Sequence, residues 1–247
     1  NSYHVVKGTG TNATAVLDGF YIRGGNSNSG GNNNKGGGIL CISNSSPTIR
    51  NCYFSGNRCT FGGGAGYISG SAPSFTDCVF DGNTGGSYGG AFDIAGAGAI
   101  VFDRCEFLGN TAARAGALEI YSTNGVKVTN CVFRGNTATG GGGGGGLWMG
   151  SGGNTQLRNC TIVGNFSTVS VAAGLRVSGG SPSIANCIFW DNEGPGGAQA
   201  AANQITGTSA VTYSIVEGGL SGTGNISTAP LFKDAASGDY SLQDGSP

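Results

Sequence analysis

Residues Thr129–Asn136 read T-N-C-V-F-R-G-N, and the chain rewrites this frame along most of its length. It recurs as R-N-C-Y-F-S-G-N ending at Asn57, T-D-C-V-F-D-G-N at Asn83 and D-R-C-E-F-L-G-N at Asn110. Two later copies, R-N-C-T-I-V-G-N and A-N-C-I-F-W-D-N, end at Asn165 and Asn192. Weaker versions are L-D-G-F-Y-I-R-G-G-N, ending at Asn26, and V-T-Y-S-I-V-E-G-G around Ser214. The cysteines of the full copies, Cys52, Cys78, Cys105, Cys131, Cys160 and Cys187, fall 26 to 29 residues apart. A period of that size signals a solenoid, in which each repeat buries its apolar face only by stacking on its neighbours.

Within one copy, Cys131 and Phe133 alternate with Val132 and Arg134, the two-residue period of a strand. Cysteine and phenylalanine are among the most buried residue types, so this parity points inward. Gly135-Asn136 then ends the strand, because both residues tolerate a left-handed turn. Stacking places Asn57, Asn83, Asn110, Asn136, Asn165 and Asn192 above one another, where their amides can bond as in the asparagine ladders of cross-β assemblies.

A second strand follows each turn, at Gly38–Ile42, Ala65–Ser69, Ala91–Ala95, Ala117–Tyr121, Gly146–Gly150 and Gly174–Ser178. A third, short one precedes the cysteine and carries Ile49, Phe75, Phe102, Val128, Leu157, Ile184 and Val211. No helical pattern of ten residues intervenes, which argues against leucine-rich and ankyrin solenoids. The chain is therefore read as all-β, a right-handed parallel β-helix of about eight coils with ~27 residues in each.

The pairing of F-x-G-N with Gly89-Gly90-Ala91-Phe92, and loosely with Ala115-Gly116-Ala117-Leu118, resembles the repeats of chlamydial polymorphic outer-membrane proteins. The later segments Ser181–Asn192, Asn203-Gln204-Ile205, Val211–Gly219 and Pro230–Pro247 resemble secreted bacterial right-handed β-helix proteins of the pectin-lyase-like superfamily. Together the resemblances cover nearly the whole chain. They imply the fold, and a bacterial type of extracellular or cell-surface location. Such relatives include adhesins, structural surface proteins and polysaccharide lyases, so fold alone does not assign an activity.

Composition narrows the classes. There are 51 glycines in 247 residues, 10% charged residues and a net charge of −1. The glycines recur before apolar residues, as turns and small inward side chains. No basic run marks a nucleic-acid footprint, and no apolar stretch approaches the ~20 residues of a membrane span. One domain is read over 1–247: irregular first coils over 1–46, regular coils over 47–219 and a strand-like extension over 220–247. Val5-Val6 and Ala15–Leu17 open the first coil, and Val211–Val216 with Asp239–Leu242 form the last. Asn26–Gly38 reads as a loose loop, and Ala198–Asn203 as one helical turn outside the coil. The run Gly140–Gly146 is either a mobile loop or a close approach of two backbones. Asn1–Val16 lacks a signal region, and neither end shows a capping helix. That suggests either a portion of a longer protein or a homo-oligomer built by end-to-end stacking into a filament.

The six ladder cysteines are read as buried thiols packing as small hydrophobes, since parallel neighbours do not point at each other. Cys41 and Cys59 stand outside that column, and a disulfide between them is possible. No Cys or His spacing supports zinc, and the single histidine, His4, has no acid or nucleophile placed with it. Sequons at Asn12, Asn44, Asn159, Asn165 and Asn225 count only where the source glycosylates them.

One constellation could carry chemistry. The outward parity of the second strand holds Leu40, Tyr67, Asp93, Glu119, Trp148 and Arg176 in a column, with Tyr121 on the same face. Carboxylates of Asp93 and Glu119 ~5 Å apart suit a retaining glycosidase pair or a Ca²⁺ ion, and the aromatic residues suit a glycan. Outward strand positions also take charged residues simply because they are solvated. A second outward surface, Tyr53, Val79, Glu106, Val132, Thr161 and Ile188 beside Ser55, Asp81, Leu108, Arg134, Val163 and Trp190, is half apolar and reads as covered or in contact. The resulting expectation is a secreted or cell-surface structural or adhesive protein with no catalysis, no resident cofactor or metal, and a glycan as a possible partner. The alternative is a polysaccharide lyase, glycosidase or glycan-binding module using the Asp93/Glu119/Trp148 face.

Overall fold

The computed structural model describes residues 2–96, 98–121, 125–150, 154–169, 172–195, 197, 200–207 and 210–247. The chain winds into a parallel β-helix with three eight-stranded sheets. Sheet 1 runs from Val6–Thr9 through Gly66–Ser69, Phe92–Ala95 and Leu118–Tyr121 to Ile205–Thr206. Sheet 2 runs from Val16–Asp18 to Val211–Thr212, and sheet 3 from Tyr21–Arg23 to Ile215–Val216. Neighbouring strands pair in parallel without slippage: Gly66, Phe92, Leu118 and Leu147 face one another along sheet 1. About six turns of ~27 residues are complete, and irregular windings at the two ends bring each sheet to eight strands. The expectation of eight coils is corrected to that extent.

Left-handed residues recur at the corners of the coils. The residue ahead of every ladder cysteine, Asn51, Asp77, Arg104, Asn130, Asn159 or Asn186, has φ between 51° and 56°. Asn and Asp enter this region because a short polar side chain can bond locally. Arg104 is the exception, and its guanidinium is held by Asp77 at 2.7 Å and by Asp103. The ladder cysteine therefore sits at the corner and not within the strand, which begins one residue later, as at Val132–Arg134. Its thiol closes the bend: the single S–H of Cys131 is shared between Thr129 O at 3.1 Å and Phe102 O of the preceding coil at 3.6 Å.

Behind that corner lies the core. Phe54, Phe80, Phe107 and Phe133 form one stacked column, closest between Phe107 and Phe133 at 4.4 Å, and Phe75 stacks on Phe102 at 4.9 Å. The inward column of sheet 1, from Ile39 through Phe92 and Leu118 to Leu175, completes it.

At the far corner the asparagines form a buried ladder. Each Nδ2 donates to the next Oδ1, from Asn57 to Asn192, over 2.8–3.1 Å. Asn192 passes the pattern to Gln204 at 2.7 Å, and Gln204 to Glu217 at 3.0 Å.

All eight cysteines are buried free thiols. Cys41 and Cys59 are not joined: Cys41 belongs to the core cluster, whereas Cys59 lies outside it in the short strand Arg58–Cys59. Burial pushes both thiols up to about 12.

Several local expectations change. Asn26–Gly38 is partly ordered, with Asn26–Ser27 paired to Arg58–Cys59 and a 3₁₀ turn at Gly31–Asn34. In the stretch Ala198–Asn203, positions 198 and 199 lie outside the described residues, and Ala201–Gln204 makes one helical turn. The glycine run is a close approach at its second half: a Cβ on Gly143 would meet Arg114 O at 1.7 Å, and one on Gly144 would meet Leu147 O at 1.9 Å. Asp239–Leu242 is no part of the last coil. It pairs antiparallel with Phe232–Asp234, and this hairpin lies over the outer face of sheet 3, against Arg134, Val163 and Trp190. That half-apolar face is thus covered over its later coils by the chain itself.

Candidate functional site

The outer face of sheet 1 is not the solvated surface that its parity implies. Leu40, Tyr67, Asp93, Glu119 and Trp148 are at most 7% exposed. The segments leading into successive strands fold back over this face and stack on one another, through backbone bridges Lys35↔Gly62↔Tyr88 and Ala115↔Gly144. The cover packs closely over Asp93, where a Cβ on Gly62 would meet Asp93 Oδ2 at 2.1 Å.

The covering residues form a continuous line of rings and cations. Lys35 Nζ lies 4.9 Å from the Phe61 ring and 4.5 Å from the Tyr67 ring. Phe61 meets Tyr88 edge-on at 4.9 Å, and the Arg114 guanidinium sits 4.5 Å over Tyr88 and 4.0 Å over Trp148. Trp148 in turn stacks with Tyr121 at 6.2 Å. Such contacts are each worth ~0.5–2 kcal/mol, more when desolvated.

Between cover and sheet a cleft of about 360 Å³ remains, lined by Phe61, Tyr67, Tyr88, Asp93, Ala95, Arg114, Glu119 and Tyr121. The structure thus brings Tyr67, Asp93, Glu119 and Tyr121 into one cavity and places Trp148 behind it. Arg176 stands in register with Trp148 but does not line the cleft. Lys35, Phe61, Tyr88 and Arg114 escape a reading by strand parity because they lie outside any strand. The available signal was spacing: a large side chain sits five or six positions ahead of Leu40, Tyr67, Asp93 and Glu119.

The electrostatics follow from burial. Arg114 donates to Glu119 Oε1 through Nη2 and, at 3.1 Å, through Nε. Glu119 Oε2 is buried without a hydrogen bond of full geometry, and the Gly89 backbone amide beside the carboxylate pulls its value down. Burial raises the Glu119 carboxyl above its ordinary value, and Arg114 opposes that rise. Asp93 is pushed up to about 7, first by burial and then by Glu119, with Lys35 and Arg114 pulling the other way. Among the described residues no three His, Cys, Asp or Glu side chains converge to hold a metal. The only acids lining the cleft are Asp93 and Glu119, one oxygen of Glu119 is already taken by Arg114, and these donors do not fit a Ca²⁺ cage.

Asp93 is therefore not a silent surface position. Its folded value lies above the ordinary 3.8, so the fold holds an extra proton between 3.8 and about 7. That contribution is fully present below 3.8 and is lost as pH rises through about 7. Asp93→Asn should flatten this slope and be more stable than the parent above neutral pH, by on the order of 1 kcal/mol. Thermal melts from pH 4 to 8 check it, and parallel slopes for parent and variant would contradict the assignment.

A family model described as the right-handed beta helix region matches residues 8–142 and 94–224. No curated protein and no solved structure matches the chain.

Proposed function

The chain belongs to the right-handed β-helix family, and from that premise we propose that it is a secreted or cell-surface adhesive module whose cleft contacts a glycan. The observation that carries this reading is the cleft itself, where Phe61, Tyr67, Tyr88 and Tyr121 surround two carboxylates. Aromatic rings offer flat apolar faces to sugar rings, and buried polar groups set orientation. Kinship with chlamydial and pectin-lyase-like surface proteins is part of the same reading.

A panel of neutral, basic and acidic oligosaccharides titrated by calorimetry tests it. Tyr121 is 46% exposed and stacks only on Trp148 among the ring contacts of the cover, so Tyr121→Ala should cost about 1 kcal/mol of stability while weakening binding at least ~tenfold. A panel with no binder, or a Tyr121→Ala variant that binds unchanged, would refute the reading.

A hydrolytic role is the second reading, favoured by the adjacent, register-paired Asp93 and Glu119. At the strand spacing of ~4.8 Å their backbones suit a retaining pair. New reducing ends in the same titrations, absent with Asp93→Asn, would move the assignment to an enzyme.

End-to-end association is proposed on separate ground. At the first coil an apolar groove lined by Val6, Leu17, Ile39 and Ile49 adjoins Val16, which is 53% exposed. Sedimentation at micromolar concentration should show species larger than one chain that Val16→Lys disperses; a parent that stays monomeric would end this proposal.

A further inference from the structure

Resting on the reading of the cleft as a glycan site, we infer that the sugar it selects carries a basic group, an amino-bearing hexosamine in preference to a uronate. The charges in the cleft decide this. Both cations are already engaged. Lys35 is held between the Phe61 and Tyr67 rings and donates to Tyr67 Oη at 3.4 Å. Arg114 is sandwiched between Tyr88 and Trp148 and paired with Glu119 Oε1. What remains unspent is acceptor capacity: Glu119 Oε2, in a side chain 1% exposed, and the neighbouring Asp93 carboxyl, 4% exposed.

A buried acceptor without a donor is costly, and a ligand that supplies the donor recovers that cost. A uronate carboxylate brings no donor to Glu119 Oε2 and adds one more acceptor beside Asp93. A sugar hydroxyl supplies one donor. An ammonium supplies three, in charge-assisted bonds. Asp93 and Glu119 are register partners on adjacent strands, ~4.8 Å apart at the backbone, so one ammonium can bridge both. The surrounding tyrosines add ring faces that attract the same cation.

The test titrates the full chain at neutral pH and 150 mM salt with tetrasaccharides of glucosamine, N-acetylglucosamine and galacturonic acid. Glucosamine should bind at least tenfold more tightly than its N-acetyl form, with galacturonate weakest. In Asp93→Asn the ratio of glucosamine to N-acetylglucosamine affinity should shrink below threefold. Glu119→Gln serves as a second variant, and both are checked for an unchanged circular dichroism spectrum. Equal or tighter binding of N-acetylglucosamine, or a preference for galacturonate, overturns the basic preference and leaves the glycan reading standing. Glucosamine binding that keeps its full advantage in both variants overturns the assignment to these carboxylates. Absence of binding by all three defeats both.

Discussion

Asn110→Ala should destabilise the solenoid by about 3–6 kcal/mol, a large part of the 5–15 kcal/mol that holds a typical domain together. The figure follows from counting what one amide does. Asn110 Nδ2 donates to Phe80 O at 2.8 Å and to Asn136 Oδ1 at 3.0 Å. Its Oδ1 accepts from the Asn83 backbone at 2.9 Å and from Asn83 Nδ2 at 3.0 Å. Truncation leaves the Asn83 amide and one Asn83 side-chain proton without acceptors, in a place no water reaches. Each orphaned group costs about 1–3 kcal/mol, against the ~1 kcal/mol net of an ordinary exchanged bond. The loss should be local first, because a solenoid's coils are stabilised by their nearest neighbours. Hydrogen exchange at the Asn83 amide should therefore accelerate more than at Asn192, four rungs along the same ladder. Asn159→Ala is the contrast: that side chain is exposed and bonds Asn130 at 3.2 Å, so the change should cost little beyond the ~1 kcal/mol of placing alanine at φ 53°. Chemical denaturation showing less than about 1 kcal/mol between Asn110→Ala and the parent would mean the ladder is decoration.

What could be read in advance follows from the same repetition. Where one residue type recurs at one rung, as with Asn57 to Asn192 or Phe54 to Phe133, its inward direction and stacking follow from period and parity. The structure places these residues in a bonded ladder and a stacked column. Where the rung is kept but the chemistry varies, sequence alone misleads. The cover over sheet 1 is built from Lys35, Phe61, Tyr88 and Arg114, four side chains that share only a position. No pattern of hydropathy marks them as one layer, so Asp93 and Glu119 read as solvated. Parity still puts Tyr67, Asp93, Glu119 and Tyr121 on one face, and the structure gathers those four in one cleft. Gln204 is the opposite case: it continues the asparagine ladder from a position no repeat spacing predicts, because a short helix at Ala201–Gln204 delivers it there. The hairpin of Phe232–Asp234 and Asp239–Leu242 is likewise legible as strand but not as cover, since its antiparallel pairing breaks the rule the rest of the chain obeys.

Gly116→Ala should be as damaging as the loss of a ladder amide, while Gly135→Ala, the addition of the same methyl group, should cost only about 1 kcal/mol. The two glycines are present for different reasons. Gly135 has φ +62 at the corner after sheet 3 and faces open space, so alanine there meets only the conformational penalty. Gly116 has no left-handed backbone. A Cβ on it would lie 2.0 Å from Gly145 O, 2.4 Å from Thr137 N and 2.8 Å from Asn136 C. These are backbone atoms of the next coil, fixed by their own sheet and ladder bonds, so no side-chain rotation relieves the clash. Relief requires the covering segment to lift, and that would pull Arg114 away from Glu119 and open the cleft. We expect a loss of more than about 3 kcal/mol for Gly116→Ala, the upper range for overpacking a rigid site. Because the strain falls on the cover first, Tyr88 and Trp148 should become accessible to a fluorescence quencher at denaturant concentrations where circular dichroism still reports an intact helix. Equal stabilities for the two alanine variants would show that the coils can shift apart along the axis, and the tight apposition that buries Asp93 and Glu119 would then have to be abandoned.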